Sequence, residues 1–248
     1  MKNPNALIAS DYGPIIINTH DAIIGRSISQ LGYWAADDIG LIRTLLDVQL
    51  KKADHLTFYD VGANIGTHTL AIAKTYGSKV KVRAFEAQRQ IFNMLCGTVA
   101  LNGLSNVHCH HHAVSGVSGE VLEIALPDYN SANNFGGLEL LAPQRSDNGH
   151  MVKTSMDRVT TLSIDSFDER VDFIKMDIEG MEDKALSGAT VTVDRHRPIC
   201  FVEIFKTDVP YVVEFFRSRG YLGFKKAHDL IVILVEYQIQ VVAAERVF

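Results

Sequence analysis

From Leu56 onward, short apolar runs alternate with amphipathic stretches, and that alternation constrains the fold more than any other feature of the chain. LTFYDVG, KVKVRAFE, VDFIKMDIEG and RPICFVEIF read as strands, and GTHTLAIAKTYG, RQIFNMLCGTVALNG, MEDKALSGATVTVDR and DVPYVVEFFRSRG as helices between or after them. Strands alternating with helices of about 10 to 15 residues imply right-handed crossovers. The expected product is an α/β fold whose mostly parallel sheet carries helices on both faces. NVHCHHHAV and EVLEIAL read as further strands, and YLGFKKAHDLIVILVEY with VVAAERVF as a terminal hairpin region.

The first 55 residues differ in texture. ALIASDYGPIIINTHDAIIGRS mixes apolar runs with turn residues such as Gly13, Pro14 and Asn18 and reads as a small β element. ADDIGLIRTLLDVQLKK opens on Asp37 and Asp38, good N-cap residues, and carries Ile39, Ile42, Leu45 and Leu46 at helical spacing. We read 1–55 as an N-terminal annex packed on a main domain, 56–248. Between Leu126 and His150 the pattern fails, and a polar, Gly- and Asn-rich loop of that length inside a domain is functional or disordered.

Bulk properties exclude several classes. The net charge of −5 gives no basic footprint for a nucleic-acid partner. Cys96, Cys109 and Cys200 are odd in number and widely spaced, so they form neither a disulfide framework nor a CxxC metal pair, and a reducing compartment is the default. Met1 to Ser10 lacks the pattern of a signal peptide, and the apolar run Ile231 to Val235 falls far short of the ~20 residues that span a bilayer. The expectation is a cytoplasmic protein with no membrane span; oligomeric state is not legible.

The loop DVGANIG ends the first main-domain strand, where open parallel sheets bind ligands. It reads G-x-x-x-G (Gly62, Gly66), without the third glycine of the dinucleotide fingerprint. Gly62 permits close backbone approach, and free N–H groups at the helix start suit a carboxylate. Glu86, 20 positions beyond Gly66, closes the second strand, where an acid accepts bonds from ribose hydroxyls. Ribose and carboxylate without pyrophosphate describe S-adenosylmethionine better than NAD. The candidate cofactor residues are Asp60, Gly62, Ala63, Asn64, Gly66 and Thr67 in the loop, Glu86 and Ala87 at the second strand end, Ala113 and Val114 as an apolar wall, and Asp177. His112 is an open candidate for the adenine ring.

IKMDIEGME is the richest stretch for chemistry. It delivers Asp177 to the cleft, followed by Glu179 at the next helix start, and these are the candidate catalytic residues, with His68 and Glu203 in reserve. A carboxylate there can cap the helix (Glu179 or Glu182), accept a proton from an acceptor, or join Glu203 in holding a hard divalent cation. No metal is expected. The same holds for His108, His110 and His112, which alternation places on one face of an edge strand. Asn130 to Gly137 read as a lid over the acceptor or as a disordered connector, and Tyr33 and Trp34 as packing of the annex or as residues facing the same cleft.

YDVGANIGTHTLAIAK, VRAFEAQRQIFNML, ALNGLSNVHCHHHAVS, VDFIKMDIEGMEDKALSGA and RPICFVEI, in that order and spacing, resemble the FkbM-type methyltransferases over roughly Thr57 to Gly220. The resemblance implies a Rossmann-like class I methyltransferase with a seven-stranded sheet, using S-adenosylmethionine. It further implies O-methylation of a hydroxyl on a sugar, glycan or natural-product acceptor. Ala87 departs from the pattern, which more often has proline there; a small effect on the turn is expected, and none on Glu86. The rivals are an NAD-dependent oxidoreductase, which needs the missing third glycine, and a non-catalytic binding module, against which the intact loop, Glu86, Asp177 and Glu179 argue.

Overall fold

The computed structural model describes residues 3–140, 155–237 and 244–248. The chain opens on an antiparallel hairpin of β1 (Asn5–Ser10) and β2 (Gly13–Asn18), followed by α1 (Ile24–Leu31) and α2 (Ala36–Leu50). The alternating series is β3 (Leu56–Val61), α3 (Thr67–Tyr76), β4 (Val80–Glu86), α4 (Arg89–Leu101) and β5 (Val107–His111). A short β6 (Ala113–Val114) joins β7 (Val121–Leu126) and β8 (Ser155–Leu162) in a separate small sheet of order β6-β8-β7. Alternation resumes with β9 (Phe173–Met176), α5 (Glu182–Ser187), α6 (Thr190–His196), β10 (Ile199–Glu203) and α7 (Val209–Arg217). The chain closes on β11 (Tyr221–Lys226), β12 (Asp229–Leu234) and β13 (Glu245–Arg246).

The main sheet has the order β13-β11-β12-β10-β9-β3-β4-β5. Its segment from β10 to β5 is parallel throughout, whereas β12, β11 and β13 pair antiparallel. It therefore has eight strands among the described residues rather than seven, the addition being the two-residue β13. Strand order reverses between β3 and β9, so the carboxyl ends of β3, β4, β9 and β10 converge where a doubly wound sheet binds its ligand.

Burial on both faces explains the near-continuous apolar runs. In β3 only Thr57 is less than buried, and all of β9 is buried, Lys175 included. One face packs on α2 and α3, through Ile42, Leu45, Leu46 and Ile72 against Phe58, Phe173 and Phe201. The other packs on α5, α6 and α7, through Leu186, Val193 and Phe216 against Tyr59, Ile174 and Val202. A third cluster joins Ile15, Ile17, Ile24 and Ile28 of the N-terminal segment to Ile65, Leu70, Ile91, Met94 and Phe135. Among the described residues no helix is long and apolar enough to cross a membrane.

Four local expectations are corrected. Residues 24–31 form α1 instead of continuing the β element, because Asp21 Oδ1 accepts from the N–H groups of Ile23 and Ile24 and seeds the turn. Asp37 and Asp38 lie inside the first turn of α2, and Ala35 is its cap. The helix expected from Met181 to Arg195 breaks in two at Gly188, whose carbonyl is taken by Asp165 N–H (2.8 Å) and Ser163 Oγ (2.7 Å). Asp165 then accepts from Val191 and Thr192 and starts α6. Finally, β8 was not anticipated; it is specified by pairing with β7 across the Gly- and Asn-rich segment, a long-range contact. Of that segment, 141–150 lies outside the described residues.

Candidate active site

One pocket sits where the strand ends converge. Its floor is the turn after β3. Gly62 (φ 79°) and Asn64 (φ 51°) take left-handed backbone, and the N–H groups of Gly62 and Ala63 both donate to the Phe85 carbonyl (3.0 and 2.9 Å). A side chain on Gly62 would overlap the Asp177 carbonyl, so the turn is packed against the end of β9. Glu86 closes β4 beside it. Its Oε2 accepts from Asn64 N–H (3.0 Å) and its Oε1 from Gln88 N–H (2.7 Å), which aims the carboxyl along the pocket wall. Burial pushes the Glu86 carboxyl up to about 7.

The pocket brings together most of the residues picked out from sequence. Gly62, Ala63, Asn64 and Thr67 line it from the turn, Glu86 and Ala87 from the end of β4, and Ala113 and Val114 from β6. Asp177, Glu179, Glu203 and His68 line it as well, and so does His112. Asp60 and Gly66 do not reach the wall. Asp60 lies fully buried beneath the turn, its Oδ2 accepting from Thr69 Oγ1 (2.6 Å), and Gly66 (φ 96°) caps α3 against Leu95.

Three carboxylates meet at the β9–β10 side, since Asp177, Glu179 and Glu203 each place an oxygen within 4.8 Å of the others. Two carry a lysine. Lys206 Nζ donates to Glu179 Oε2 (2.6 Å), and Lys175 Nζ stands 3.6 Å from Asp177 Oδ2. Glu203 Oε2 has no hydrogen-bond partner among the described residues. Burial, then the charges of Asp177 and Glu179, push its carboxyl up to about 8. Two lysines thus offset part of the group's negative charge. Glu179 is itself left-handed (φ 54°), and the expected helix-start role falls to Glu182, which accepts from the N–H groups of Ile178 (2.8 Å) and Gly180 (3.1 Å).

The segment after Asn133 roofs the pocket. Asn134, Gly136, Gly137 and Leu138 line it, and Gly136 packs on Ile24 and Asn64. Phe135 points the other way and is fully buried in the cluster built by β2, α1 and α4. Gln88 Nε2 donates to the Phe135 carbonyl (2.9 Å) and Lys206 Nζ to that of Gly137 (3.0 Å). Of Asn130 to Gly137, only Asn134, Gly136 and Gly137 reach this pocket; Ile23, Ile24 and Trp34 line it from the N-terminal segment, so Trp34 faces the cleft while Tyr33 does not.

The histidine run does other work. His110 stacks on Phe85 (ring centroids 4.9 Å apart) and His111 on Phe92 (5.0 Å), at the edge strand β5. His112 Nδ1 is buried without a partner among the described residues and belongs to the pocket wall. Sequence reasoning missed Lys175, Gln88 and Phe135. The signal for Lys175 was a lone charge inside an apolar central strand, and Phe135 lies within the Asn130–Gly137 stretch without being singled out; for Gln88 nothing local pointed to the pocket.

The family model described as methyltransferase FkbM domain matches residues 60–222. The methyltransferase FkbM from Methylobacillus flagellatus KT aligns at 20% identity over 72% of this chain and 44% of its own, with a TM-score of 0.51. Monomeric WbdD aligns at 9% identity over 86% of this chain and 45% of its own, with a TM-score of 0.50. This chain thus spans less than half the length of either structure, and the likeness is one of fold. No curated protein matches the sequence.

Proposed function

This chain belongs to the FkbM methyltransferase family, and from that premise we propose that it uses S-adenosylmethionine to methylate a hydroxyl of a sugar, glycan or natural-product acceptor. One observation carries the cofactor assignment. Glu86 presents a buried carboxyl to the same pocket as the left-handed Gly62 turn and the apolar wall of Ala113 and Val114. Two buried polar atoms of that pocket, His112 Nδ1 and Glu203 Oε2, are without partners among the described residues, as expected of groups that meet a polar ligand. Acid, turn and apolar wall suit a ribose, an amino-acid carboxylate and a flat base.

When bound, S-adenosylmethionine supplies a methyl group already activated by its sulfonium. The chain's work is then to align the acceptor and manage its proton. Asp177 is the open member of the carboxylate cluster, with 42% of its side chain exposed. It takes the hydroxyl proton as the oxygen attacks, while Glu179, tied to Lys206, shapes the acceptor's side of the pocket. Holding the oxygen in line lowers the barrier by several kcal/mol.

The test is a pair of measurements. S-adenosylhomocysteine, not NAD, should raise the melting temperature of the parent protein and lose that effect in Glu86→Ala. A screen of hydroxylated acceptors with labelled methyl donor should then yield an O-methyl product. Stabilisation by NAD alone would overturn the reading.

A further inference from the structure

Lys175 is a buried ammonium for which neither the sequence nor the methyl-transfer scheme above has a use. It is only 3% exposed, in the middle of the parallel sheet, where an unbalanced charge costs several kcal/mol. Its neighbours on β9, Ile174 and Met176, turn to the opposite face and pack in the core with Val202. Lys175 shares its own face with Asp177 and reaches across the end of β3. There Nζ donates to the Gly62 carbonyl (2.8 Å) and stands 3.5 Å from Asp60 Oδ1 and 3.6 Å from Asp177 Oδ2. Asp60 Oδ1 is buried and has no hydrogen bond of its own among the described residues. One side chain thus joins the glycine turn, the acid beneath it and the acid beside it, and it also lines the pocket.

Strand order says which part of the pocket this is. Across the sheet from its parallel edge run β5, β4, β3, β9 and β10, about 4.8 Å apart. The apolar wall of β6 follows β5, Glu86 stands on β4, the turn follows β3, and Lys175 is on β9. If the base lies at the wall and the ribose at Glu86, the β3–β9 junction is left for the amino-acid end.

Resting on the cofactor reading above, we infer that Lys175 is a positioning residue. Through the Gly62 carbonyl and its pairs with Asp60 and Asp177, it holds the turn against β9 in the shape that receives the amino-acid end of the cofactor. Burial opposes its charge, but Asp177 and Asp60 outweigh burial and keep it protonated.

The rival is a purely structural ion pair that only neutralises Asp60, and charge-balanced variants separate the two. Lys175→Met combined with Asp60→Asn removes the charge and the orphaned acid together, so a structural pair predicts full recovery of both folding and ligand binding. The positioning role predicts a folded protein that binds S-adenosylhomocysteine at least about tenfold more weakly by calorimetry. It also predicts that 5′-methylthioadenosine, which lacks the amino-acid end, binds as it does to the parent. Lys175→Arg keeps the charge but replaces the point donor with a wide planar fork, and should show the same split if the double variant does not fold. Parent-like affinity for S-adenosylhomocysteine in a folded variant, or equal loss of both compounds, overturns the inference. A parent that binds neither compound overturns the cofactor reading instead.

Discussion

Gly62 and Asp177 touch through their backbones, and there is no room for a Cβ between the glycine and the aspartate's carbonyl oxygen. The contact is locked on both sides, because Asp177 N–H donates to Val61 (3.0 Å) and Gly62 N–H to Phe85 (3.0 Å). Gly62→Ala adds steric overlap to a left-handed backbone. It should cost about 2 to 4 kcal/mol of stability and eliminate S-adenosylhomocysteine binding, read by thermal melts and calorimetry. An alanine variant that melts and binds like the parent would remove the turn from the site.

Asp177→Asn keeps the size of the side chain and should leave affinity for S-adenosylhomocysteine within about twofold of the parent while lowering turnover by about 10² to 10⁴. The measurement is a single-turnover assay once an acceptor is in hand. Full activity in Asp177→Asn would remove Asp177 from the proton-accepting role.

Stability should fall as pH rises through neutrality. Burial raises the carboxyls of Glu86 and Glu182 to about 7, of Asp229 to about 7 and of Glu203 to about 8. Each therefore holds its proton more tightly folded than unfolded. The stabilisation is complete below about pH 4 and is lost as pH climbs through 7 to 8. Glu169 works in the opposite sense. It is desolvated, yet bonds from Arg83, Lys81 and Tyr59 hold it down to about 2, so its contribution is lost only in strong acid. Burial lowers His68, His110, His112 and His196, which add stability as pH rises to about 6.5, so melting temperatures should decline from about pH 6.5 to 8.5, and Glu203→Gln should flatten that decline and gain about 1 to 3 kcal/mol at pH 8.5. A rising curve would contradict the assignment.

Phe135→Ala empties a fully buried site and should cost about 3 to 5 kcal/mol. Its more specific signature is faster amide exchange across Asn133 to Leu140 and a shorter residence time for S-adenosylhomocysteine. If exchange quickens only in the distant strands β11 and β12, Phe135 is not the anchor of the roof.

The main sheet was legible because βαβ alternation is a local signal repeated several times. Gly62, Glu86 and Asp177 were legible because each closes a strand, and strand ends gather at the reversal of order between β3 and β9. What could not be seen depends on partners distant in sequence. Phe135 looks like one apolar residue in a polar loop until the cluster of Ile15, Ile17 and Ile28 gives it a seat. Strand β8 needs β7 beside it, and the break at Gly188 needs Asp165 and Ser163. Lys175 falls where a period of two would allow a solvent-facing residue, but β9 has neighbours on both edges and helices over both faces, so no such face exists.

The roof is fastened unequally. At Phe135 it is plugged into an oily socket worth several kcal/mol, whereas at Gly137 it is held by Lys206, whose side chain is 24% exposed and whose hold weakens with salt. Added salt should therefore loosen the Lys206 end before the aromatic plug, read as amide exchange that quickens at Gly137 ahead of Phe135.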